Sequence, residues 1–79
     1  MEKQKVQSKA VRETADWYIA IEAAIEGEGE ARYEGDKVGA GRWHRLVKKA
    51  QSSFKEFYRK LTADEVREYD AWTRGEIEL

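Results

Sequence analysis

Between Trp43 and Leu61 the apolar positions are Trp43, Leu46, Val47, Ala50, Phe54, Phe57, Tyr58 and Leu61. They are separated by three, one, three, four, three, one and three residues. At about 100° per residue all eight fall in a stripe roughly 120° wide. A strand would throw Phe57 and Tyr58 to opposite faces, so the spacing predicts a helix over residues 42–61. A second pattern of this kind runs from Lys5 to Glu26. There Val6, Ala10, Thr14, Trp17, Tyr18, Ile21, Ala24 and Ile25 share one face, and Val11 flanks it. That predicts a helix over residues 5–26, with Ser8 as the N-cap if it starts later. Ile19 stands about 160° from the centre of its stripe. It reads either as a lone exposed apolar residue or, with Ala20 and Ala23 beside it, as a contact with a partner or a second copy.

The third helix has the clearest start. Thr62-Ala63-Asp64-Glu65 is a capping box: Thr62 caps, Glu65 reaches back, and Leu61 and Val66 supply a hydrophobic staple. Val66, Tyr69 and Trp72 then step by three, and Gly75 ends a helix over residues 63–74. Glu76 to Leu79 alternates like a strand but is too short to stand alone, so it docks or frays.

Residues 27–41 hold five of the six glycines. Gly27 is placed to end the first helix in a left-handed cap. Ala31 to Val38 has the composition of a hairpin turning at Gly35-Asp36, but an isolated two-stranded ribbon is marginal. The segment is therefore expected as a Gly-rich acidic loop, pinned to the core by Tyr33 and Val38. The whole reads as one all-α domain, 1–79, of three helices. Its expected core is Trp17, Ile21, Ile25, Trp43, Leu46, Val47, Phe54, Phe57, Val66, Tyr69 and Trp72.

Composition narrows the chemistry. The chain has no cysteine, which excludes disulfides, zinc–thiolate sites and thiol nucleophiles and is compatible with a reducing cytoplasm. Met1 to Lys5 leads into no apolar run, so no secretory leader is expected. The longest apolar run, Trp17 to Ile21, is far shorter than a membrane span. His44 is the only histidine; with no second ligand it is a weak metal candidate. Ser52 and Ser53 lie two turns on and point away from it, so a half-exposed packing role is expected. The carboxylates are scattered, not paired in a cleft as acid–base work requires. Gly39-Ala40-Gly41-Arg42 lacks the second half of a phosphate loop. No enzyme, cofactor or metal is expected.

Charge is segregated. Opposite the stripe of the second helix stand Arg42, Arg45, Lys48, Lys49, Lys55, Arg59 and Lys60, against Glu56 alone, in a chain whose net charge is −1. From Glu22 to Asp36 there are six carboxylates, among them Glu28, Glu30, Glu34 and Asp36, against Arg32. The ordinary meaning of a charge run is a solvated face. A nucleic-acid reading is disfavoured by the near-neutral balance, because most such domains are basic overall. A membrane-surface reading conflicts with the core's need for the stripe. Dipolar surfaces of this kind steer association with complementary proteins. The expectation is therefore a non-enzymatic protein-binding module, an inhibitor or adaptor, using the basic helix face, the acidic loop and Ile19. The alternatives are nucleic-acid binding by the basic face of helix 42–61 and a homo-oligomeric structural protein such as a homodimer. In size and charge the chain resembles the small accessory proteins of phages and mobile elements, many of which bind and block a host protein.

Overall fold

Helix ends decide this architecture. In the computed structural model, which describes residues 3–79, α1 spans Lys9–Tyr33, α2 Lys37–Arg59 and α3 Ala63–Thr73. Ser8 is the N-cap of α1: its Oγ accepts from the Val11 N–H at 3.3 Å. Residues 3–7 before it form no helix, against the expected helix from Lys5. Their backbone is drawn into a parallel bridge, Lys5 with Glu78, where the Glu78 N–H donates to the Gln4 carbonyl at 2.8 Å. That pairing buries Val6 to 1% exposure and docks the C-terminal tail. Two carboxylates of α3 hold the same start. Glu68 accepts from the Gln7 and Ser8 N–H groups, and Glu65 accepts from the Ser8 hydroxyl.

The expected loop over residues 27–41 does not form. Helix α1 runs two turns past Gly27, and only Glu34, Gly35 and Asp36 separate it from α2. The left-handed cap is Gly35, at φ 77°. The Gly35 N–H donates to the Arg32 carbonyl at 3.1 Å and the Asp36 N–H to the Ala31 carbonyl at 2.8 Å, the two bonds of a Schellman motif. Asp36 then caps α2, accepting from the Gly39 N–H at 2.9 Å. Gly27 stays helical, and its bare backbone makes room for Trp43: a Cβ there would stand 2.6 Å from the Trp43 ring. Tyr33 and Val38 pin nothing; at 94% and 68% exposure they sit at the tip of the hairpin.

Helix α2 ends at Arg59 rather than Leu61. Both bonds of the capping box at Thr62 are present, with the Glu65 N–H on Thr62 Oγ1 at 3.2 Å and the Thr62 N–H on Glu65 Oε1 at 2.9 Å. Helix α3 stops at Thr73, and Gly75 closes it with the same pair of bonds as Gly35.

The three-residue turn makes α1 and α2 an antiparallel pair. Trp17 meets Phe57 at 6.3 Å near one end and Glu28 meets His44 near the other. The α1 positions facing α2, from Ala10 through Thr14, Trp17, Ile21, Ala24 and Glu28 to Ala31, alternate by four and three, the narrow seam of a coiled coil. Helix α3 packs across one side of the pair only at the end away from the turn. There Tyr69 touches Phe54, Tyr58 and Trp72 at ring separations of 5.6–6.0 Å, and Trp72 meets Tyr18 edge-on. The deepest residues are Val6, Val11, Thr14 and Ala15.

Three expected core residues are therefore surface residues: Ile25 at 52%, Leu46 at 48% and Trp43 at 38% exposure. A two-helix ribbon buries only its seam, and a stripe 120° wide spills out on both sides. The result is a slab of 43 × 30 × 15 Å, with a radius of gyration of 14.9 Å against about 12 Å for a compact chain of this length.

Candidate functional site

The hairpin has two long sides. One carries α3 at its lower half. On the other, no helix lies among the described residues, and a shallow groove of ≈ 320 Å³ runs along it. Trp17, Ala20, Ala23 and Ala24 of α1 line one wall; Trp43, Leu46, Lys49 and Ala50 of α2 line the other. The floor is low because α1 offers small residues here, and Trp43 lies flat over Gly27. The walls are tall because α2 offers Trp43 and Leu46.

The rims differ in charge. Asp16, Ala23 and Glu30 are spaced by seven, so both acids stand in line with a groove-lining residue of α1. Arg42 and Lys49 are related in the same way on α2. Whole helices repeat the contrast. Helix α1 carries six carboxylates and three cations, and α2 seven cations and Glu56.

The predicted contact residues separate into two groups. Arg42, Arg45, Lys48, Lys49, Lys55, Arg59 and Lys60 are all exposed along α2 and its C-cap. Among the described residues only Arg59 of these is ion-paired, to Glu56 at 2.9 Å. Lys48, Lys55 and Arg59 fall on one line of the helix, Arg42, Lys49 and Lys60 on another. The acids expected on a loop are built into the fold. Glu28 lies on α1, where it takes the Arg32 guanidinium at 2.7 Å and His44 Nδ1 at 3.2 Å. Arg32 above all holds its carboxyl below the ordinary range. Glu34 is the C-cap of α1 and Asp36 the N-cap of α2. Glu30 remains exposed on α1, as does Ile19 at 45%.

His44 is half exposed and engaged by Glu28. With Arg32 and Lys37 it borders a second open cleft of ≈ 540 Å³ at the hairpin tip. Among the described residues no three His, Asp or Glu side chains converge as a metal ion would require, and no helix is long and apolar enough to cross a membrane. Comparison with protein families, with characterised proteins and with solved structures gives no match to this chain.

Sequence reasoning named the cations but missed the groove. Trp43 and Leu46 were assigned inward because their stripe is apolar. The signal that bore on the groove was the stripe's width, more than one short neighbouring helix covers.

Proposed function

We propose that the protein is a non-enzymatic protein-binding module, and that the open side of the α1–α2 hairpin is its docking surface. The observation that carries this reading is the exposure of Trp43 and Leu46 in one continuous groove. Large apolar side chains in a concave patch rimmed by charge mark interaction sites on small proteins, and aromatic anchors in such patches carry most of the binding energy. The unpaired cations Arg42 and Lys49 flank the groove and steer an acidic partner toward it. Such a chain works as an adaptor or inhibitor, by occupying another surface. Its lack of cysteine suits a reducing compartment such as the cytoplasm.

Leu46→Glu tests the reading. Half exposed on α2, Leu46 can be replaced with little effect on folding, which far-UV circular dichroism checks. The wild-type chain as bait is expected to retain a stoichiometric partner that the variant loses. Equal retention by both refutes the docking surface.

A second reading rests on the line of Lys48, Lys55 and Arg59, which faces away from the groove. Phosphates on a nucleic acid suit such a line, and the binding would fall steeply with salt. Titration against duplex and single-stranded DNA at two salt concentrations decides it: no salt-dependent binding at low ionic strength removes this reading.

A further inference from the structure

We propose that the occupant of the open side is a second copy of this chain, forming a two-fold four-helix bundle in which α1 of each copy lies against α2 of the other. This rests on the open side being the docking surface.

The first argument is area. The chain exposes 6050 Å². A compact monomer of 9.2 kDa is expected to expose roughly 4,900 Å². The excess of about 1,100 Å² is more than the roughly 800 Å² per partner that a standard interface removes. Covering the groove side of both copies would return each to an ordinary surface for its mass. Two such hairpins stacked face to face also complete the layer that a two-helix ribbon lacks, so the stripe spilling past the seam becomes core.

The second argument is charge, and it selects the arrangement. Two hairpins facing each other across a two-fold axis have two simple choices. An axis running across the hairpins sets α1 against α1 and α2 against α2, so the rim cations Arg42 and Lys49 of one copy meet those of the other. An axis running along the hairpins sets the acidic α1 of each copy against the basic α2 of the other. Like charges opposed across an interface cost several kcal/mol, and opposite charges fix the register.

The third argument is level. The tight turn places Gly27 beside Trp43, so Glu30, one turn above Gly27, and Arg42, one residue from Trp43, stand at nearly the same height on opposite rims. An axis along the hairpin preserves height. Glu30 of one copy therefore meets Arg42 of the other, twice by symmetry. Neither is ion-paired within the chain among the described residues.

The experiment is sedimentation equilibrium of the intact chain across a concentration series. The expected species has twice the 9.2 kDa chain mass, and Leu46→Glu is expected to be monomeric with unchanged helicity. Glu30→Arg and Arg42→Glu are each expected to raise the dimer dissociation constant about tenfold, because symmetry applies each reversal twice. The double variant, with the pair exchanged, is expected to return to within about threefold of wild type, as a direct pair requires. A monomer at every concentration overturns the second copy as occupant and leaves the docking surface standing, to be judged by capture alone. A dimer indifferent to Leu46→Glu overturns the proposed face. A dimer broken by Leu46→Glu but unmoved by both charge reversals overturns the α1-against-α2 arrangement.

Discussion

Gly27 and Gly29 stand two residues apart on α1, and the structure gives them opposite fates on substitution by alanine. Helix propensity alone favours alanine over glycine by about 1 kcal/mol at either position. At Gly29 nothing lies within 4 Å of the added methyl, so Gly29→Ala should stabilise by about 0.5–1 kcal/mol, roughly 4–8 °C per kcal/mol in a domain of this size. At Gly27 the methyl would stand 2.6 Å from two carbons of the Trp43 ring and 2.9 Å from a third. A rigid ring in that position must move as a whole. Overpacking of this kind costs typically 1–3 kcal/mol. Set against the propensity gain, Gly27→Ala should be neutral to destabilising by about 2 kcal/mol, leaving the two variants about 1–3 kcal/mol apart. Thermal and urea unfolding followed by circular dichroism measures this directly. The double-mutant cycle isolates the cause: in a Trp43→Ala background the penalty at residue 27 should vanish, and Gly27→Ala should stabilise as much as Gly29→Ala does. If Gly27→Ala raises the melting temperature as much as Gly29→Ala in the wild-type background, Trp43 does not rest on that backbone.

Three further outcomes can be measured on the same footing. Thr62→Ala removes one half of the capping box and should cost about 0.5–2 kcal/mol, read by urea unfolding, whereas Thr73→Ala, at an exposed helix end, serves as the control. The Glu65 carboxyl is held below its ordinary value, chiefly by the Ser8 hydroxyl and then by the Thr62 N–H. A lowered folded-state pKa gives stability that is full above the unfolded value, about 4.3, and is lost as pH falls through the folded one. Wild type should therefore melt earlier as pH drops from about 5 to 3, with Glu65→Gln less stable at neutral pH and converging on wild type in acid; parallel curves would contradict this. Burial pushes the Tyr69 hydroxyl up to about 12, with Tyr18 and Tyr58 adding to it. Here the sign reverses: stability is complete below the unfolded value of about 10 and lost as pH rises toward the folded one. Tyr69→Phe should flatten the loss above pH 10, followed by tyrosinate absorbance and melting temperature together.

Which parts of this fold were readable in the residues follows from how far apart the interacting groups lie. The break at Thr62 was legible because both members of its capping box sit within four positions. The end of α1 was not. Gly27 and Gly35 are equally fit for a left-handed cap, and nothing near Gly27 in the chain shows that its bare backbone makes room for Trp43, sixteen residues beyond it. The start of α1 failed for the same reason. Val6 fits the helical stripe, yet it stays out of the helix because its backbone pairs with Glu78 at the other end of the chain. Acids read as a loop became caps and braces once the loop shortened to three residues.

The open groove differs, because the residues that signal it lie within one helix, in the width of the α2 stripe. A stripe 120° wide on α2 calls for neighbours on two sides. The chain supplies α1 along the whole length and α3, eleven residues long, along one end of one side. An eleven-residue helix covers about 16 Å, whereas α2 with its twenty-three residues spans about 35 Å. As the three helices fold, α3 covers Tyr58 only in part, to 37% exposure, and Leu46 on the opposite flank stays 48% exposed. Something outside the chain must complete the layer, or the apolar flank stays wet. In the proposed dimer, the cations on that flank and the acids on the facing helix let two identical ribbons complete each other. The width of a hydrophobic stripe, set against the length of helix available to cover it, thus states before any coordinates how much of that stripe a small protein's own helices leave exposed.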